Sequence, residues 1–297
     1  MARPPTLRCA RCGYDLGGLA DAWRDRCPLE GTCSECGLTF AWRDVLNAKY
    51  RLVRGFFEHG RGLSPWRFVR TLASAFWPWR LWTRVGIESR MVPARCTLFL
   101  LLVLMLSYAL FAAGSAGLAA WYWAPWWGSV SRVDVAVRAL ARPDRFLGEF
   151  GIVWPGGATI DVLIGAVTVV LIVPMSYSLL PTTMRRAKVR RAHRVRIATY
   201  ALAGSFFCLA VWLLARAWYV GSYTWSMYWW IGMTGRAMFC LAPPLVLYSA
   251  HWWVATPRYL RLEHPRPVAL SMLAIGWLAG ALAGTCSTII RTAIVMG

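Results

Sequence analysis

Five long apolar segments dominate the second two-thirds of this chain. A helix needs about 20 predominantly apolar residues to cross a hydrocarbon core of about 30 Å. The first segment contains no charged residue, and each of the others contains at most one. The sequence therefore predicts an all-α polytopic membrane protein, with spans over residues 97–123, 158–180, 197–220, 229–254 and 268–290.

The composition agrees with this class of protein. Hydrophobic residues make up 58% of the 297 residues, yet the formal net charge is +20. A soluble chain could not bury so much apolar surface in one core, whereas a multi-span protein carries its cations in the loops. The composition excludes a disordered chain and argues against a soluble enzyme.

The distribution of basic residues predicts the side of the membrane on which each loop lies. The region before the first span contains 16 Lys and Arg residues, the loop 181–196 contains seven and the loop 255–267 contains three. The loop 124–157 contains four, and the loop 221–228 contains none. Because cytoplasmic loops retain Lys and Arg, we expect the N-terminus inside and the C-terminus outside the cell (inner) membrane. The basic loops would attract anionic lipids, and the flanking spans argue against nucleic acid as a partner.

The chain divides into three parts. Residues 1–40 are polar and rich in cysteine, residues 41–96 are basic and aromatic, and residues 97–297 hold the spans. In the middle part, Ser64 and Pro65 suit the start of a helix. Apolar residues at three- and four-residue spacing then predict a basic amphipathic helix in the cytoplasmic membrane interface, with Arg67 and Arg70 on one side and, on the other, the stripe Trp66, Val69, Leu72, Ala73 and Phe76.

Two matched cysteine pairs near the N-terminus have the spacing of a zinc site. Each pair has the form CxxCG, and 20 residues separate the halves, which supply Cys9, Cys12, Cys33 and Cys36. A glycine after the second cysteine allows the tight backbone turn that brings two thiolates to one ion. Four thiolates close a tetrahedral coordination sphere, so the predicted site is structural rather than catalytic.

Two disulfides or a redox-active CxxC would be alternatives to metal. The predicted cytoplasmic side keeps thiols reduced, and two matched knuckles are more typical of metal than of redox chemistry. Cys27 is the odd cysteine, which could replace Cys33 but lacks a CxxC partner. A module of about 40 residues cannot fold on its own core, and zinc would supply the missing stability.

The string CARCGYDLGGL at residues 9–19, followed by CSECG at residues 33–37, resembles the N-terminal zinc ribbon of uncharacterised bacterial multi-pass membrane proteins. Their pattern is CxxCGYDLxGL followed by CPxCG, and the four cysteines of this chain match its ligands. This sequence departs from the pattern at Ser34, which replaces a proline, and in an insertion over residues 26–32 that adds Cys27. The resemblance implies a zinc ribbon tethered to a membrane domain, with no established activity.

A second resemblance is topological. A basic N-terminal segment, the aromatic approach FWPWRLW at residues 76–82 and five spans with an outside C-terminus look like Yip-type five-span membrane proteins. That family implies a role in membrane trafficking or organisation rather than catalysis.

Four charged residues in or beside the spans are candidates for an intramembrane polar site. They are Asp161, Arg216, Arg236 and Arg291, all on the predicted outer half. Intramembrane charges usually face the bundle interior or extend to the headgroups. Asp161 could pair with Arg236 or Arg216, and the arginines could line an outward cavity for an anionic solute or lipid headgroup.

The last span contains a glycine at every fourth position, Gly276, Gly280 and Gly284. Such a ladder permits close approach of another helix, either within the chain or in a homodimer, and a multi-span bundle favours the first.

The sequence contains no HExxH, GxSxG or P-loop motif and no GxGxxG after a strand. We therefore expect a non-enzymatic membrane protein whose zinc ribbon binds a cytoplasmic protein partner. The alternative is a transporter or lipid-handling protein that uses the outer-half arginines, and a membrane enzyme ranks third.

Overall fold

A computed structural model describes residues 7–23, 26–47, 52–60, 62–89, 91–118, 120–121, 131–141, 158–179, 189–222, 233–262 and 264–296. The described chain is mostly helical, with one small β-hairpin near the N-terminus. Its contacts divide it into two units. The first comprises Met1–Leu100, Val173–Ala201 and Ser249–Ala274, and the second comprises Leu101–Ile172, Leu202–Tyr248 and Ile275–Gly297.

The N-terminal part contains only short elements. Helix α1 covers Gly17–Asp21, strands β1 (Glu30–Thr32) and β2 (Thr39–Ala41) pair antiparallel, and helix α2 covers Trp42–Leu46. Its apolar interior is small, and Trp42 packs edge-on against the rings of two neighbours, Trp23 and Phe40. So small a core agrees with a module that needs a further source of stability.

All five predicted segments are helices where the structure describes them. They are α5 (Pro93–Leu118), α7 (Ala158–Leu179), α8 (Arg191–Ser222), α9 (Met233–Arg258) and α10 (Pro265–Met296), and α6 (Arg132–Ala141) lies between the first two. Among the described residues, three stretches are long and apolar enough to cross a membrane, namely Pro93–Leu118, Arg191–Ala215 and Pro265–Ile290.

The second and fourth segments contain prolines, yet their helices continue through them. Pro174 lies inside α7, where the apolar stretch Leu163–Tyr177 is shorter than the three long ones, and the pair Pro243-Pro244 lies inside α9. That these two helices also cross the membrane stays a prediction.

The structure corrects the predicted stripe of the interfacial helix. Helix α3 (Pro65–Ala75) begins at Pro65 as expected, and α4 (Pro78–Arg84) follows it. Within the stripe, however, Leu72 is buried whereas Trp66 and Val69 are exposed, and Arg70, predicted on the opposite side, is exposed with them. The three- and four-residue spacing places these residues in one stripe, but they lie on two sides of α3. Both the inward and the outward side of this helix carry apolar residues.

The glycine ladder of α10 packs within the chain. A Cβ on Gly280 would lie 2.7 Å from the carbonyl oxygen of Gly165 in α7, and a Cβ on Gly284 would lie 3.0 Å from that of Asp161. Only glycine allows such close approach of two helix backbones. These two positions confirm the intramolecular interpretation over a homodimer face.

Candidate metal centre and its contacts with the helices

The four predicted ligands come together. The sulfur atoms of Cys9, Cys12, Cys33 and Cys36 all lie within 4.8 Å of one another. The distance is 3.6 Å between the Sγ atoms of Cys9 and Cys36 and 3.7 Å between those of Cys12 and Cys33. Thiolates about 2.3 Å from a tetrahedral zinc ion would be about 3.8 Å apart. The donor set and its spacing are therefore compatible with a tetrahedral metal site.

Two of the alternatives for these cysteines, disulfides and ligation by Cys27, do not match the geometry. A disulfide requires sulfur atoms about 2.0 Å apart, and all four cysteines are free. Cys27, the alternative ligand, is exposed, and its thiol donates to the carbonyl of Pro28, away from the cluster.

The two knuckles repeat one backbone arrangement. The amide of Gly13 donates to the carbonyl of Cys9, and the amide of Gly37 donates to that of Cys33, both at 2.9 Å. Both glycines have positive φ angles, 81° and 67°, which residues with a Cβ rarely adopt. The prediction that a glycine after the second cysteine permits a tight turn is thus confirmed by the positive φ angles of Gly13 and Gly37.

The cluster stabilises a thiolate. A hydrogen bond from the Cys36 thiol lowers the pKa of Cys9 to about 4, and the same bond raises the pKa of Cys36 well above its usual value. The hydrogen bond thus favours the thiolate at Cys9 and the protonated thiol at Cys36. A metal ion would replace such protons, because thiolates are the ligating form.

The first knuckle is bound to distant helix ends in the same unit. The Arg11 guanidinium donates to the carbonyls of Leu260 and Arg261, just after α9, and to that of Cys36 in the second knuckle. The Arg11 carbonyl accepts from the amide of Arg190, just before α8. A single residue between two ligands therefore joins both knuckles to two helix ends.

His193, in the first turn of α8, adds a further contact. Its Nε2 lies 2.8 Å from the carbonyl oxygen of Ala10, and its Nδ1 lies 2.7 Å from the hydroxyl of Tyr259. A carbonyl only accepts, so Nε2 carries the hydrogen and Nδ1 accepts from the tyrosine. The imidazole thus connects the metal knuckle to the interior of the unit.

A buried ion pair lies behind this histidine. Arg196 and Glu58 are both fully buried, with their nearest charged atoms 2.7 Å apart. The carboxylate also accepts from the Tyr200 hydroxyl and the Val92 amide, each at 3.0 Å. The guanidinium also donates to the carbonyl and hydroxyl of Ser89. Such a pair is stable only when surrounding hydrogen bonds compensate for lost water.

Sequence reasoning missed this network. Position in the sequence assigns Arg196 to a basic loop, and no motif marks Glu58. One local signal existed: His193, Arg196 and Tyr200 follow a spacing of three and four residues and so share one side of α8. Their partner Glu58 is 138 residues away from Arg196, and no pattern in the sequence pairs them.

The intramembrane candidates are described only in part. Asp161 is buried in α7, and its carboxylate accepts from Ser287 at 2.6 Å and Thr288 at 2.9 Å. The side chains of Arg216, Arg236 and Arg291 lie outside the described residues, so pairing of Asp161 with Arg236 or Arg216 stays a prediction.

A cavity of about 400 Å³ lies in the second unit beside Asp161. Its described wall is mostly apolar and includes Val169, Leu241, Leu245 and Trp277.

No family model matches this chain, and neither the curated proteins nor the solved structures contain a match to it.

Replacing Glu58 by Gln should destabilise the protein by about 3–5 kcal/mol, because it leaves the Arg196 charge buried without its carboxylate. The measurement is the free energy of unfolding in detergent micelles. Glu88→Gln is the matched control, since Glu88 pairs at 2.8 Å with Arg261, whose side chain is 47% exposed. Its loss should be below about 1 kcal/mol. Equal effects of the two changes would contradict this role for the buried pair.

Proposed function

We propose that this chain is a non-enzymatic integral membrane protein of the bacterial inner membrane. A structural zinc ribbon at its cytoplasmic face serves as a platform for a protein partner. The observation that carries this proposal is the four-cysteine cluster whose first knuckle is hydrogen-bonded to the ends of two long helices.

Zinc is the metal that best suits the donor set. Four sulfur ligands in a tetrahedral arrangement are typical of structural zinc sites, and they leave no coordination position for a substrate. Binding to such sites contributes on the order of 10–16 kcal/mol in small zinc peptides. A ribbon with so small an apolar core would use that energy to fold.

The topology in this proposal has five spans, with the N-terminus in the cytoplasm and the C-terminus outside. Three stretches have the length and hydropathy of spans, and α7 and α9 are the remaining two helices of the predicted set. The excess of Lys and Arg before the first span and in two alternate loops supports the orientation.

The ribbon has an inward and an outward side. Its first knuckle contacts the helix ends through Ala10 and Arg11. By contrast, Leu29, beside strand β1, is 89% exposed. Exposed large apolar side chains on a module held rigidly at its base are suited to contact another protein. We assign partner binding to this outward side.

Cys33→Ser should abolish stoichiometric zinc in the purified full-length protein, because three thiolates and a hydroxyl hold zinc far more weakly than four thiolates. The measurement is elemental analysis of the protein in detergent. Cys27→Ser is the matched control and should retain the zinc of the unmodified chain, since Cys27 lies outside the cluster. Equal zinc content in both variants, or another metal in the unmodified chain, would contradict the proposed zinc site.

Leu29→Asp should reduce recovery of the protein partner at least tenfold, since a charge on an apolar contact weakens binding by more than about 1.4 kcal/mol. The full-length chain is crosslinked in native membranes and purified, and the bound proteins are quantified by mass spectrometry. Val133→Asp is the control, because Val133 is also apolar and exposed but lies in the predicted outer loop. Zinc content should be unchanged in both. Recovery of lipids alone, or equal recovery from both variants, would contradict the platform.

A second candidate, lipid handling, is favoured by the cavity beside Asp161. Its apolar wall and volume are within the range of small-molecule sites. The predicted lining by Arg216, Arg236 and Arg291 remains part of this alternative. The structure does not describe these three side chains.

Ala281→Phe should fill this cavity and lower the amount of lipid that co-purifies, because Ala281 lies in its wall. Leu282→Phe is the control, since Leu282 is exposed and does not line the cavity. Lipid retained by the purified protein is quantified by mass spectrometry. Equal lipid content in the two variants would argue against use of the cavity.

A further inference from the structure

Helix α3 has an outward stripe that the described chain does not cover. It consists of Trp66, Val69, Arg70 and Ala73, which follow the three- and four-residue spacing of one helix side. Trp66 is 72% exposed and Val69 54%. Leu63 before the helix and Trp77 after it extend the apolar surface at both ends, with 72% and 59% exposure. Several large apolar side chains exposed together mark an interaction surface.

The opposite side of α3 is fixed in the first unit. The Phe68 ring packs against Phe57 and Phe99, and the hydroxyl of Thr71 accepts from the amide of Phe57 at 2.9 Å. The carbonyl of Ala75, at the last turn, lies 2.7 Å from Nε2 of His251. These contacts prevent the helix from rotating to bury Trp66 and Val69, so the outward stripe needs a different occupant.

The contacts of α3 also fix its level relative to the first candidate span. Phe99 lies six residues after Pro93, where α5 begins, which is about 9 Å along the helix axis. The Phe68 and Phe99 ring centroids are 5.6 Å apart. Arg95 donates to the carbonyls of Phe57 and Gly62, which holds the segment before α3 against the first turn of α5. The outward stripe therefore lies at the level at which the chain enters the apolar stretch.

The charge around the stripe is of one sign. Residues 61–87 contain five arginines and no Asp or Glu. Arg70 belongs to the stripe itself, and Arg80 lies over the Trp77 ring, 5.7 Å from its centroid. Tryptophan and arginine together favour the headgroup region, where an amphipathic ring and a cation both find partners.

We propose that the outward stripe of α3 binds the surface of an anionic lipid bilayer, with Trp66 and Val69 inserted at the headgroup level and Arg70 and Arg80 paired with lipid phosphates. A polar-faced cytosolic protein would not meet this surface, because the stripe lies beside the start of a candidate span. This inference is independent of the ribbon's partner, since the two surfaces share no residue. It gives the chain a second attachment to the membrane beyond its spans.

The test uses the full-length chain in nanodiscs of equal parts phosphatidylglycerol and phosphatidylcholine. A photoreactive benzoylphenylalanine replaces Trp66, and after illumination the adducts are identified by mass. We expect lipid adducts at position 66. The matched control replaces Leu29, which is at least as exposed but lies on the ribbon, and should yield at least tenfold less lipid adduct. A zinc content and a melting temperature equal to those of the unmodified protein show that each variant is folded.

The distribution of adducts decides between the occupants. Adducts to a second copy of the chain, or no adduct at position 66 in a folded variant, would overturn the proposal. Phosphatidylglycerol should exceed phosphatidylcholine among the adducts, and Arg70→Gln should reduce that preference by up to about fivefold, the ratio for about 1 kcal/mol per cation. Equal labelling of phosphatidylglycerol and phosphatidylcholine from position 66, in the chain that retains Arg70, would overturn the anionic preference.

Discussion

The buried ion pair between Arg196 and Glu58 is the contact on which the arrangement of the first unit depends. Removing two charges from water costs several kcal/mol per ion, so the pair persists only if neighbouring groups complete its hydrogen bonds. Those groups come from separate parts of the chain, through Ser89, Val92 and Tyr200. One charged contact thereby fixes the connection before α5 and the first turns of α8 relative to each other.

The same network continues to the metal centre. The Tyr259 hydroxyl accepts from Arg196 and donates to His193, whose other nitrogen donates to a carbonyl inside the first knuckle. The cysteine cluster is thus a fixed component of its unit rather than a module on a free tether. Loss of the knuckle's conformation would leave Arg11 and His193 without their partners, and buried polar groups without partners are costly. The conformation of the first knuckle and the packing of the helix ends are therefore coupled.

The large positive charge is distributed among different physical roles. Arg196 and Arg11 are buried and structural, whereas Arg70 and Arg80 are exposed, near the exposed Trp66 and Trp77. A net charge of +20 is therefore a poor guide to any single partner. A guanidinium with five donors can satisfy carbonyls in the interior as well as phosphates at a membrane, and the environment selects between these uses.

The sequence by itself determined the features that depend on local pattern. The long helices follow from apolar segments, and the cysteine cluster follows from two CxxCG knuckles whose glycines permit positive φ angles. Tertiary structure decided what depends on distant neighbours. Spacing showed that α3 is amphipathic, but its packing through Phe68 and Thr71 against neighbouring segments leaves Leu72 buried and Trp66 exposed. Composition counted Arg196 among the loop cations, because a buried charge is recognised only through a partner, and Glu58 lies 138 residues away in the chain.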